Sequence, residues 1–227
     1  MKAYKTNLIL IFLLLGISPW AFSASAEMSS KHLRLVKDLM NNNLAYSQDA
    51  TTTNIIEWEE EIVDSLRQKK DYRNMFLMKQ MAVYAYSLQA KISEALKKAD
   101  AMMDEARLMK YNIGISLSYQ ALGDIYLNAG MRPEAVEEYE KAMKTLQATP
   151  HAEKIQERIF IQLVPTLIKL KRMDEAKAYL EHMSEICESK CLSPFLLYAY
   201  HAYYYLRNND LSKAREYIDE AIKINSR

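Results

Sequence analysis

Few residues in this chain could carry covalent or metal chemistry. The two cysteines, Cys187 and Cys191, stand four positions apart in Cys-Glu-Ser-Lys-Cys. In a regular helix that separation puts the α-carbons about 6 Å apart, near the limit of disulfide reach. A bond between them is therefore expected where the helix unwinds before Pro194. Three states stand open for the pair: a structural disulfide, two buried thiols, or a redox site. Thioredoxin-like exchange wants two intervening residues and a βαβ setting, and neither is found here. The four histidines, His32, His151, His182 and His201, are scattered. No His-Glu-x-x-His helix, Gly-x-Ser-x-Gly turn or metal-spaced cluster joins them. Glu57, Glu59, Glu60 and Glu61 surround Trp58 and are expected to form a solvated helix face. No catalytic residue, cofactor or metal is assigned.

The N-terminus addresses the chain rather than folding it. Lys2 and Lys5 precede an apolar run over residues 8–17, Pro19 breaks it, and Ala24-Ser25-Ala26 supplies the small residues before Glu27. These are the parts of a cleaved secretory signal covering residues 1–26. A spanning helix wants about 20 apolar residues, and this run is shorter. The chain is expected to be exported, periplasmic or secreted, with no membrane insertion after cleavage. Outside the cytoplasm an even pair of cysteines is more often oxidised. Without Lys2 and Lys5, 28 basic residues face 29 acidic ones, a net charge of −1. A near-neutral chain has no general attraction for nucleic acid or an anionic membrane.

The elements that must position any site are helices. Only four glycines occur, too few for phosphate-cradling loops, while Ala, Leu, Glu, Lys and Met abound. A phrase returns four times: Ser93-Glu94-Ala95, Pro133-Glu134-Ala135, Asp174-Glu175-Ala176 and Ser212-Lys213-Ala214. Its alanines are 40, 41 and 38 residues apart, and seven residues later come Met102, Ala142, Met183 and Ala221. A cap or preset φ followed by an acid suits a helix N-terminus. Each phrase therefore opens the second helix of a hairpin. Residues 31–46 and 54–69 carry apolar stripes of helical period (Leu33, Val36, Leu39, Met40; Ile55, Trp58, Ile62, Leu66). They read as a degenerate N-terminal hairpin, 27–70, capping repeats at about 71–110, 112–149, 152–190 and 194–227. With no Gly- or Pro-rich linker, one domain is expected.

The middle copy runs Ser116-Leu-Ser-Tyr119-Gln-Ala-Leu122-Gly123-Asp-Ile-Tyr126, then Gly130, Ala135, Tyr139 and Ala142. It resembles the tetratricopeptide repeat, whose usual period is about 34 residues, with HEAT-like pairs of about 40–47 the alternative. The last copy keeps Tyr198, Ala202, Tyr205, Ala214 and Ala221; the third has Val164 where Gly is preferred, and the first has Lys79 at the aromatic position. The resemblance implies an all-α, right-handed α-solenoid of about five hairpins, in which stacking makes the core. It also implies a concave groove lined by the first helix of each hairpin, binding a protein or peptide. Carried over by register, the contact residues are Gln80 and Tyr84; Gln120, Asp124 and Asn128; Arg158, Gln162 and Lys169; and Tyr200, Tyr203 and Arg207. Chaperone-binding members clamp a carboxylate with Lys and Asn, but Gln120 and Asp124 stand at those places. Pro165 is expected to kink its helix. Tyr200 and Tyr203 beside Arg207 are the expected hot spot.

Residues 111–126 in an exported chain also look like the extracytoplasmic repeats of certain bacterial membrane sensor proteins. That resemblance implies an input region for a receptor. Closing on a second repeat helix leaves an apolar face, which favours a fragment or a homodimer through the C-terminal repeat.

Overall fold

The computed structural model describes residues 48–190 and 194–225, with side chains over 55–186 and 194–224. The signal expected at residues 1–26, the helix expected at 31–46, the Cys187 side chain and Cys191 lie outside the described residues. Among the described residues there are nine helices and no strand. They are α1 (Gln48–Gln68), α2 (Tyr72–Leu88), α3 (Ile92–Leu108), α4 (Asn112–Asn128), α5 (Arg132–Leu146), α6 (Glu153–Lys169), α7 (Met173–Lys190), α8 (Pro194–Arg207) and α9 (Leu211–Asn225). The fold class is all-α, a series of helix hairpins of the solenoid type. No helix among the described residues is long and apolar enough to cross a membrane.

Helix lengths account for the long repeat. Helices α2, α3, α4 and α6 each have 17 residues, and α2, α3 and α4 are each followed by a three-residue turn. Two such helices with their turns span 40 residues, the spacing of the first two alanines. The 41-residue step contains the irregular joint 147–152, and the 38-residue step contains α8, with only 14 residues.

The turns close by one device. The Asp71, Lys91, Tyr111, Met131, Arg172 and Asp210 amides donate back to the carbonyls of Leu66, Tyr86, Ala106, Tyr126, Leu167 and Tyr205 at 2.9–3.0 Å. The residue before each donor is left-handed, and only Gly130 among them is glycine: Lys70, Ala90, Lys110, Lys171 and Asn209 have φ of 52–63°. This is the Schellman closure, usually built on glycine because a Cβ is crowded there. Lys110→Gly should therefore raise stability by about 1 kcal/mol, the left-handed cost less glycine's extra unfolded-state entropy. Gly130→Ala should lose a similar amount, although nothing lies within 4 Å of its added Cβ. Denaturant midpoints at constant slope check both signs.

The turns also correct the expected caps. Ser93, Asp174 and Ser212 sit inside the first turn, because α3, α7 and α9 begin one residue earlier. Side-chain caps come instead from Asp71, which accepts from the Asn74 amide at 3.3 Å, and Asp210, which accepts from Lys213 at 3.1 Å.

By contact the chain divides into two compact units, Met1–Pro150 and His151–Arg227. The alanines of the recurring phrase are interior: Ala95, Ala135 and Ala176 are fully buried and Ala214 nearly so. In the first unit α4 packs on α5, α3 and α2, around Val83, Ala95, Ala99, Ala121 and Ile125. The backbones come close where Gly114 faces Ala106 and Phe76, and where Gly123 faces the Tyr139 ring. Glu105 ties three helices together, bonding Arg67 of α1 at 3.0 Å and Lys79 of α2. Burial pushes its carboxyl up, but these two cations prevail and hold it below the usual range. Glu59 of the acidic run is buried and pairs with Lys98 at 2.5 Å, so that run is not wholly a solvated face.

In the second unit α8 packs on α9, α7 and α6. Its core gathers Ile159, Leu163 and Leu167 of α6, Ala176 and Leu180 of α7, and Ala202 of α8. His201 is half-buried: its ring stacks on Tyr217 at 4.6 Å, and its Nε2 lies 3.1 Å from the Ser184 hydroxyl. Burial lowers its pKa, partly opposed by Glu181.

Candidate partner-binding surface

In the first unit the register places Gln80 and Tyr84 on α2 and Gln120, Asp124 and Asn128 on α4, as first helices of neighbouring hairpins. The expectation that they line an open groove needs correction for three of them. Gln80, Gln120 and Asp124 are 3%, 1% and 4% exposed. Asp124 is the hub: Gln80 Nε2 donates to its Oδ2 at 2.7 Å, and the Tyr139 hydroxyl of α5 donates to its Oδ1 at 2.7 Å. Burial, then the Asp124 charge, raises the pKa of both Tyr84 and Tyr139. A buried carboxylate needs such donors, because its lone pairs have lost water. Tyr84 is half-buried beside this network. Asn128 is exposed but donates to the Ser87 hydroxyl of α2 at 2.6 Å. Of the polar residues that looked like a contact surface, Gln80, Asp124 and Asn128 instead tie α4 to α2 and α5.

In the second unit Arg158 is also interior, at 5% exposed. Gln162 is half-buried, and Lys169, the last residue of α6, is exposed. The helix continues through Pro165. A proline has no N–H, so the carbonyl four residues earlier, that of Ile161, loses its usual helical donor. The Tyr200 hydroxyl of α8 supplies one, donating to Ile161 O at 3.1 Å. The Tyr200 ring meets Phe160 edge-on at 5.5 Å, and burial raises its pKa. Tyr200 is therefore a brace between α6 and α8, not the free groove residue expected of it. Tyr203 and Arg207 follow it three and seven positions on, along the same face of α8, half-buried and exposed respectively. The second unit thus retains accessible contact candidates on its first helices: Gln162, Lys169, Tyr203 and Arg207.

Sequence reasoning expected an apolar face on the closing helix but did not name its residues: Leu211, Ile218 and Ile222, with Leu206 of α8, all exposed on the last hairpin. Their signal was an apolar pattern on α9 wider than the stripe one neighbour can cover.

Paired helices of near-constant length, notched by buried alanines and closed by identical turns, define a helix-hairpin repeat protein. Residues 117–145, covering most of α4 and α5, and residues 197–227, covering most of α8 and α9, each match the tetratricopeptide repeat family. The chain carries tetratricopeptide repeats in both units, on the two copies that keep the aromatic and small-residue pattern best. Its sequence matches no curated protein.

Proposed function

We propose that this chain is an exported scaffold that holds a protein or peptide on the first-helix face of its second unit. The observation that carries the proposal is the α6–α8 brace. Tyr200 donates its hydroxyl to Ile161, and one and two turns on, the half-buried Tyr203 and the exposed Arg207 follow along the same face of a helix whose orientation is thereby fixed. A rigid aromatic next to an arginine is a composition enriched at protein interfaces: the ring offers a large contact area at low entropic cost, and the guanidinium adds a planar array of donors. The repeat family supports binding over catalysis. Near-neutral charge supports a protein partner over nucleic acid. Export rests on the pattern of residues 1–26, and self-association through the last hairpin belongs to the same reading. The likeness of residues 111–126 to sensor repeats supports a second role, as the input region of a membrane receptor.

The test is partner recovery from periplasmic extract by the wild-type chain and by Tyr203→Ala and Arg207→Ala. Each substitution should lower recovery of the same partner at least tenfold, as for residues central to an interface. Undiminished recovery by both variants would discard this surface. Neither residue is among the buried core residues, so helical content should stay unchanged by circular dichroism.

A further inference from the structure

We propose that the outer face of α9 pairs with the same face of a second copy of this chain, the two helices running antiparallel. This rests on the self-association included in the reading above, and adds the helix, its direction and its register. Six large apolar side chains are exposed among the described residues, and four lie on the last hairpin: Leu206 at 51%, Leu211 at 63%, Ile218 at 45% and Ile222 at 60%. At about 100° per residue, Leu211, Ile218 and Ile222 fall within about 40° of one another on α9. Beside them, Ala214 and Ala221 turn inward, 3% and 5% exposed. On the other flank come Arg215 and Asp219, both exposed. Lys213 pairs with Asp210 and Lys223 with Glu220. Among the described residues, Arg215 and Asp219 enter no ion pair. A continuous apolar stripe with one unused charge of each sign along its edge marks an interaction face.

The spacing of these five residues suits a second α9. In an antiparallel helix pair the same flank meets the same flank. Place the twofold axis level with Tyr217, and Arg215 of each copy stands opposite Asp219 of the other. In that one register Leu211 lies within about 1.5 Å, along the axis, of Ile222 of the second copy, and the two Ile218 side chains meet across the centre about 3 Å apart. Apolar and charged positions are satisfied together. A parallel pair would set the Arg215–Asp219 flank against the opposite flank of the second helix, where Ala214 and Ala221 stand, so neither charge would meet its counterpart. The twofold makes the contact closed and self-complementary.

The test is sedimentation equilibrium of the chain over a range from about 1 to 100 µM, with four proteins compared. Wild type should dimerise within that range, and Ile218→Asp should stay monomeric throughout. Arg215→Asp should raise the dissociation constant at least tenfold at low salt. Adding Asp219→Arg to it should recover most of the loss, because the exchanged charges oppose each other again. All three substituted positions face solvent, so circular dichroism should confirm equal helix content. A dimer unaffected by Ile218→Asp and by the charge exchange would overturn the α9 pairing and leave self-association standing. A wild-type chain monomeric at 100 µM would overturn both. Partner recovery through Tyr203 and Arg207 lies outside α9 and is tested separately.

Discussion

Gly123→Ala should destabilise the first unit by about 2 kcal/mol, although alanine is the better helix former by about 1 kcal/mol. A Cβ at position 123 would stand 2.6 Å from Cε1 and 2.7 Å from Cδ1 of Tyr139. The ring has nowhere to retreat. Tyr139 is fully buried, and its hydroxyl is anchored to Asp124 at 2.7 Å. Moving the ring therefore strains the core or breaks that bond and leaves a lone pair of a buried carboxylate unmatched. Tyr139→Ala alone should cost about 4 kcal/mol, as for loss of a large aromatic from a packed interior. The decisive measurement is the double variant. With the ring gone, Gly123→Ala has no clash to create and should stabilise by up to about 1 kcal/mol. A change of sign between backgrounds, read from urea unfolding, identifies steric contact as the cause. The same sign in both backgrounds would mean that glycine is there for another reason.

Tyr200→Phe should cost the second unit about 2 kcal/mol, because it leaves the Ile161 carbonyl with neither a helical nor a side-chain donor. The residue that carries that carbonyl is 6% exposed, so water is a poor substitute. Pro165→Ala should be stabilising, since it restores the N–H that a proline withholds inside a helix. In that background Tyr200→Phe should cost less than about 1 kcal/mol, the hydroxyl being one of two competing donors. Equal costs in both backgrounds would break the link between the proline and the tyrosine.

The architecture was legible where the spacing of small residues has a steric meaning. Ala95, Ala135, Ala176 and Ala214 recur because a larger side chain would hold paired helices apart, and all four are interior. The long period was also legible, and its cause is 17-residue helices joined by three-residue turns. The polar positions of the groove register were not. Gln80, Gln120, Asp124 and Arg158 resemble surface residues in any one-dimensional pattern. For Gln80 and Asp124 the burial goes with a cross-helix bond between residues 44 apart, a pairing that no local pattern announces. Tyr200 was misplaced because a tyrosine serves equally as a contact residue or as a hydroxyl donor. The orphaned carbonyl that decides between them becomes visible once Pro165 is seen inside a helix facing α8. The turns escaped notice because lysine, alanine and asparagine occupy left-handed positions usually announced by glycine.

The regular beat of helix and turn has a genetic corollary. Between Lys70 and Gly130 the left-handed residues recur every 20 positions, so an unequal crossover that copies or removes 40 codons there rejoins one turn to another in phase. The product would have one hairpin more or fewer, with every remaining alanine still meeting its groove. A slip of 20 codons would instead abut two helices of the same kind, each lacking its mate. Growth of such a gene in whole hairpins is thus favoured by the geometry of its product.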